Sequence, residues 1–225
     1  MHVPVIAICG IATDEASWKG MPVDRIFIPR GASIAAMAES ILQELPDRFA
    51  LCGHSMGGYV ALEIARQSRT RIAGLALISS SANADTPEQR AARQAVIGQA
   101  QTDFAGVVSK LAPAMLSRAG REKPELLAET RTMVERCGAM LFVEQQSAAA
   151  QRHDYRDMLS TVSAPTLIIT GEDDRIVSPD RSRELAAAIP GARLRLVPDC
   201  GHVPQREASH LVALALAHWA GSSRG

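Results

Sequence analysis

The stretch Leu51-Cys52-Gly53-His54-Ser55-Met56-Gly57-Gly58 decides how the rest of the chain is read. It carries Gly53-x-Ser55-x-Gly57. The apolar residues Phe49 to Cys52 precede it and read as a strand; Tyr59 to Arg66 follow it and read as a helix. A strand, a turn too tight for flanking side chains and then a helix form the setting that a nucleophile elbow needs. Glycine on both sides lets the backbone crowd Ser55 into a strained turn, with its hydroxyl at the top of the sheet. The first N–H groups of the following helix lack intrahelical partners and can stabilise negative charge beside that hydroxyl. The same tripeptide spacing also occurs in idle Gly-rich turns; the flanking strand and helix favour the functional reading.

Working outward, Val3 to Cys9 is a continuous apolar run that reads as a buried parallel strand, with Pro4 tolerated at its start. Ile11 to Gly20 reads as a loop. Arg25 to Ile28 is a short strand whose flanking arginines suit a sheet edge. Ser33 to Leu45 has helical spacing, with Ser33 as N-cap and Pro46 beyond the end. Further strands are expected at Ile72 to Ser79, Pro165 to Thr170 and Arg193 to Val197, and helices at Pro179 to Ile189 and Glu207 to Trp219. Strands alternating with helices predict an α/β fold with a six-stranded, mostly parallel, doubly wound sheet. A strand order of 2-1-3-4-5-6 would open a crevice where the order reverses, beside the first strand.

Residues 81–160 break the rhythm. Their composition is helical, no strand candidate appears, and Pro87, Pro113, Pro124 and Gly138 divide them. They are expected to form a helical cap inserted between the fourth and fifth strands, over a core made of 1–80 and 161–225. The tail from Gly221 to Gly225 is expected to fray.

A length of 225 residues suits one α/β domain with an insertion. Aromatic residues are only 4% of the chain, so Ala, Leu, Ile and Val must fill most of the core. Formal net charge is zero, which gives no field to recruit nucleic acid or an anionic membrane. Cys9, Cys52, Cys137 and Cys200 lack the spacing of a zinc site and read as free thiols; a redox pair of Cys9 and Cys200 is the lesser reading. The N-terminal apolar run lacks a basic region and a cleavage site, and no run is long enough to span a bilayer, so a cytoplasmic protein is expected.

A serine hydroxyl needs a base, and the base needs an orienting group. Of the six histidines, His54 is inside the turn and expected to point away from Ser55, His210 and His218 lie on the last helix, His2 is terminal, and His153 falls in the cap. His202, in Pro198-Asp199-Cys200-Gly201-His202-Val203-Pro204, follows the last strand and so reaches the same sheet edge as Ser55. The orienting acid is expected in Gly171-Glu172-Asp173-Asp174, after the fifth strand, with Asp174 chosen and Asp173 in reserve. Ser55, Asp174 and His202 then follow in nucleophile-acid-base order. The backbone N–H groups of Met56 and Ile11 are the expected oxyanion donors, and either side chain is free to touch substrate. Trp18, Phe142, Gln145 and Gln146 are candidate pocket residues. The eight arginines between Arg90 and Arg156 read as solvated helix faces rather than an anion-binding lid.

These residues together make the chain resemble the α/β-hydrolase superfamily: Gly53-His54-Ser55-Met56-Gly57-Gly58 as its elbow, Gly171-x-x-Asp174 with Pro179 as its acid loop, and Gly201-His202 with Glu207 as its histidine loop. Within it, the nearest likeness is to small bacterial esterases and 3-oxoadipate enol-lactonase-like hydrolases. Cys9-Gly10 stands where members usually carry His-Gly, and the chain starts at the strand many members have third, without the two N-terminal antiparallel strands. The resemblance favours Asp174 over Asp173 and implies hydrolysis of a carboxylic ester or lactone through an acyl-enzyme on Ser55. No cofactor or metal is expected, and the partner is a small-molecule substrate. The same residues serve thioesters, C–C bonds next to a carbonyl and perhydrolysis; a non-catalytic ligand receptor is the alternative of another class.

Overall fold

The computed structural model describes residues 3–222; His2 and residues 223–225 of the expected frayed tail lie outside them. Six parallel strands form the sheet: β1 (Val5–Ile8), β2 (Arg25–Phe27), β3 (Phe49–His54), β4 (Ile72–Ile78), β5 (Thr166–Gly171) and β6 (Arg193–Val197), in the order β2-β1-β3-β4-β5-β6. The order reverses between β1 and β3, where Ile8 lies opposite Gly53. Loops leaving those two strands therefore diverge and leave a crevice at their C-terminal ends.

Both faces of the sheet are covered, which is why β1, β3 and β5 are buried along their whole length. Side chains alternate between two cores of different grain. One face presents Ile6, Ile8, Leu51, Leu75, Leu77 and Ile168 to α1 (Ile34–Leu42), α2 (Met56–Gln67) and α7 (Pro179–Ala188). The other presents mostly small residues, Ala7, Ala50, Cys52 and Ala76, and the room they leave is filled by Trp18 and Trp219. Trp18, on a 3-10 turn over Glu15–Trp18 inside the expected loop, is 1% exposed there. It packs against the sheet and does not line the cavity that holds Ser55, which corrects its reading as a substrate contact: an indole fills space that alanines cannot.

Between β4 and β5 run α3 (Pro87–Thr102), α4 (Phe104–Ala114), α5 (Arg118–Arg121) and α6 (Pro124–Ala150). Thr86 and Gln89 make a reciprocal capping box at the start of α3, and Asp103 and Ser117 cap α4 and α5. Pro87 and Pro124 occupy the first helical positions, where a missing N–H costs nothing. Pro113 lies inside the last turn of α4. Gly138, at φ 72° and ψ 159°, breaks α6 in the middle. Phe142 is 1% exposed in a separate cluster with Val107, Val108, Met133 and Val134. It is a core residue of these helices, so its reading as a pocket contact is also corrected.

The last helix differs from expectation in being two: α8 (Pro204–Glu207) and α9 (Ser209–Ser222), with Ala208 between them out of helical geometry. No helix among the described residues is long and apolar enough to cross a membrane.

At the start of α2 the chain crosses the end of β1 with no room to spare. A Cβ on Gly57 would lie 2.1 Å from the Ile8 carbonyl oxygen, a backbone atom that cannot swing aside. Gly57→Ala is expected to destabilise the fold by at least about 2 kcal/mol, read as a lowered urea midpoint with an unchanged slope.

Candidate active site

Ser55 joins β3 to α2 at φ 53° and ψ −118°, a conformation that residues with a side chain rarely adopt. It is held from three sides. Its N–H donates to the Ile78 carbonyl at 2.9 Å, and its carbonyl accepts from the Gly58 N–H at 2.9 Å and from the Ser80 hydroxyl at 2.8 Å. A Cβ on Gly53 would meet the Gly57 carbonyl at 2.3 Å, so the turn closes only with glycine there.

The Ser55 Oγ is 2.9 Å from His202 Nε2, and His202 Nδ1 is 2.8 Å from Asp174 Oδ2. Oδ1 of Asp174 accepts from the N–H groups of Ile176 and Val177, both at 2.9 Å. Burial works against charge on Asp174, but His202 and these two amides outweigh it and hold the carboxyl below its ordinary range. A carboxylate facing Nδ1 fixes that nitrogen as the protonated one and turns the Nε2 lone pair toward the serine hydroxyl. Asp173, the reserve candidate, is exposed; its N–H donates to the Cys200 carbonyl.

The loop carrying His202 is anchored by Glu207. One carboxylate oxygen accepts from the Gly201 N–H at 2.6 Å, and the other accepts from the N–H and hydroxyl of Ser117. The His202 N–H donates to the Met115 carbonyl at 2.8 Å. The inserted helices thus hold the histidine loop directly.

His54 does not simply point away from Ser55. Its ring is fully buried, 5.0 Å from that of His202, and its Nε2 lies 2.8 Å from the His202 carbonyl oxygen. A carbonyl only accepts, so the proton of neutral His54 sits on Nε2. Burial first, and His202 second, lower its pKa to about 3. Burial likewise pushes the thiols of Cys9 and Cys200 up to about 12, and all four cysteines are free.

Gln145 is the residue whose role the sequence misplaced. It is fully buried and does not line the cavity at Ser55. From α6 its side-chain oxygen accepts from the Ala12 N–H at 3.1 Å, and its amide donates to the Pro29 carbonyl at 3.1 Å. Ala12 itself stands at φ 57°. Gln145 therefore braces the strained loop that follows β1 and carries Ile11. Among the described residues, the amides of Ile11 and Met56 have no protein acceptor.

Ser55 and His202 open into a cavity of about 540 Å³. Ile11, Leu111, Met115, Ile176 and Val177 give it apolar wall, and Gln146 also lines it. The Met56 side chain does not; it is buried in the core under α2, which corrects the idea that it touches substrate. Three of the arginines read as solvated helix faces, Arg93, Arg152 and Arg156, line this cavity as well. Arg152 is buried, stacked 4.3 Å over the Tyr59 ring and paired with Asp85 at 2.7 Å. Arg93 reaches the same carboxylate and bonds Gln146. Neither Asp85 nor Tyr59 carries a sequence signal that would have found it. Among the described residues, no group of three or more His, Cys, Asp or Glu side chains could hold a metal ion.

Residues 18–215 match the model of the alpha/beta hydrolase family. The chain belongs to that family. Among curated relatives it is 33% identical over 187 residues to the pimeloyl-[acyl-carrier protein] methyl ester esterase of Aromatoleum aromaticum, covering 78% of this chain and 75% of the relative. It is 30% identical over 183 residues to a putative carbamate hydrolase of Klebsiella pneumoniae, covering 78% and 68%. Among solved structures, a thermophilic esterase from Thermogutta terrifontis aligns with a TM-score of 0.89 at 27% identity, over 99% of this chain and 91% of that one. An enol-lactonase from Burkholderia xenovorans shares the fold, with a TM-score of 0.84 at 22% identity over 97% and 92%.

Two groups in this alpha/beta hydrolase site tie folding to pH with the same sign. Asp174 is held below, and His54 far below, its ordinary pKa, so each stabilises the fold above its unfolded value. The His54 contribution is lost as pH falls from 6.5 toward about 3. His54→Gln keeps a donor for the His202 carbonyl but removes the proton uptake. Its denaturation midpoint is expected to fall less steeply with acid than that of the parent across this window.

Proposed function

We propose that the protein is a serine hydrolase that cleaves a carboxylic ester or lactone through an acyl-enzyme on Ser55. The observation that carries this reading is the unbroken chain from Ser55 Oγ through His202 to Asp174, with contacts of 2.9 and 2.8 Å, at the floor of a cavity. His202 Nε2 takes the serine proton as Oγ attacks the substrate carbonyl carbon. It then delivers that proton to the departing alkoxide. Water, deprotonated by the same nitrogen, attacks the acyl carbon and releases the acid and the free serine. Asp174 stabilises the imidazolium formed at each stage and keeps the tautomer correct.

The tetrahedral intermediates place negative charge on the former carbonyl oxygen. The N–H groups of Met56 and Ile11 are assigned to receive it, each contributing about 3 kcal/mol. Gln145 acts on this step at one remove, through Ala12. Residues 81–160 serve as the cap over the 1–80 and 161–225 core, closing the cavity from above and anchoring the His202 loop. Relatives named as esterases support an ester-directed activity, and four free thiols suit a reducing compartment such as the cytoplasm.

A fluorophosphonate should add one label per chain, mapped to Ser55 by peptide mass, and Ser55→Ala should remove both the label and turnover of p-nitrophenyl butyrate. Labelling elsewhere, or turnover surviving in the variant, rejects the acyl-enzyme.

The choice of acid is tested separately. Asp174→Asn should lower kcat by about 10⁴, whereas Asp173→Asn should stay within a few-fold of the parent. A reversed pattern in steady-state rates would move the role to Asp173.

A further inference from the structure

Charge around the cavity is one-sided. Arg93, Arg152, Arg156, Arg175 and Arg181 line it, against the single carboxylate of Asp85. Asp85 is consumed by two of them, Arg93 at 2.6 Å and Arg152 at 2.7 Å. Arg156 and Arg181 each hold one partner on the outer surface, Asp154 and Glu184. Arg175 has no carboxylate partner among the described residues. Positive charge therefore remains in excess even when the outer acids are counted, in a concave site whose low-dielectric walls strengthen the field.

The guanidiniums also fall at two depths. Arg152 is buried against Tyr59, locked by Asp85 and by the Asn83 and Ala149 carbonyls, so it sets potential rather than reaching out. Arg156 and Arg175 sit at the mouth exposed and Arg181 half-exposed; the pairs of Arg156 with Asp154 and of Arg181 with Glu184 lie at the surface, where exchanging one carboxylate for a bound anion costs little. Arg156 and Arg181 also line a second, smaller hollow. Planar forks placed together at a cavity mouth suit bidentate recognition of an oxyanion. The apolar wall of Ile11, Leu111 and Met115 suits a short hydrocarbon chain between that anion and the scissile bond.

We propose that the substrate is an ester carrying a second, anionic group, a carboxylate or a phosphate, received at the mouth by Arg156, Arg175 and Arg181. This rests on the hydrolase reading and narrows its substrate class.

The test compares three methyl esters of matched chain length: monomethyl adipate, methyl 5-phosphonopentanoate and the neutral methyl hexanoate. Release of acid is followed by pH-stat in low salt. The expected result is a kcat/KM about tenfold or more higher for an anionic ester than for the neutral one. The advantage should shrink with added salt and be largely lost in the double variant Arg156→Gln/Arg175→Gln, through KM rather than kcat. The carboxylate and phosphonate arms tell the two anions apart. Equal rates for all three, a preference for the neutral ester, or an anionic preference untouched by the double variant overturns the proposal. So does a preference that appears only when the acyl group is carried on an acidic protein.

Binding of the same three esters to Ser55→Ala, measured by calorimetry, needs no turnover. Wild-type protein that hydrolyses none of them, takes no fluorophosphonate label at Ser55 and does not turn over p-nitrophenyl butyrate rejects the hydrolase reading, while the calorimetric ranking still decides for or against anion recognition.

Discussion

The contact between the start of α2 and the end of β1 fixes the geometry of the whole rim. Where Gly57 passes the Ile8 carbonyl, backbone meets backbone, and no flexible side chain can absorb a shift. Ile11 lies three residues after Ile8, and Ser55 stands two residues before Gly57. A single close approach therefore sets the distance between the nucleophile and one expected oxyanion donor. The unusual backbone angles of Ser55 and Ala12 lie on either side of this crossing. They persist because hydrogen bonds to Ile78 and Gln145 and from Ser80 over-determine them.

Two histidines 5.0 Å apart are kept in different chemical roles. His54 is sealed away from water and stays neutral. A second positive charge there would oppose formation of an imidazolium at His202, the event that Asp174 is placed to favour. The buried neutral ring instead uses its one donor to hold the His202 main chain. Keeping a titratable group in a sealed core is a standing cost in acid, and it is accepted next to the site, not elsewhere in the sheet.

The strands and the three converging side chains were legible because each is announced locally. Apolar runs end in glycine at Gly10, Gly53 and Gly171, and Ser55, Asp174 and His202 each lie just past a strand end. What could not be read was which way a side chain faces. Trp18 and Phe142 are aromatic in the sequence and nothing more; whether they fill a core or line a cavity depends on alanines and valines far away in the chain. Gln145 bonds partners 133 and 116 residues distant, so its burial leaves no periodic trace. The arginines of the inserted helices follow the same logic. Helical spacing distinguishes polar from apolar faces, but a polar face turned to a cavity looks the same as one turned to water. Apolar spacing also hides one break: it runs Glu207 into the terminal helix, whereas the Glu207 carboxylate is committed to Gly201 and Ser117 and the helix restarts after Ala208.

The break in α6 falls inside a helix that serves two packings. Before Gly138, Met133 and Val134 pack with Phe142, with the other inserted helices and with Ala12 and Val203. After it, Ala148 and Ala149 belong to the main core and Gln145 reaches the loop after β1. With φ at 72° and no neighbour within 4 Å of where a side chain would start, Gly138 is a joint under little steric load. The helix can change direction there, so one inserted segment packs against α3 and α4 and also braces the strained loop after β1. One glycine thus supplies the knee of a strut that props the rim of the site from the inserted side.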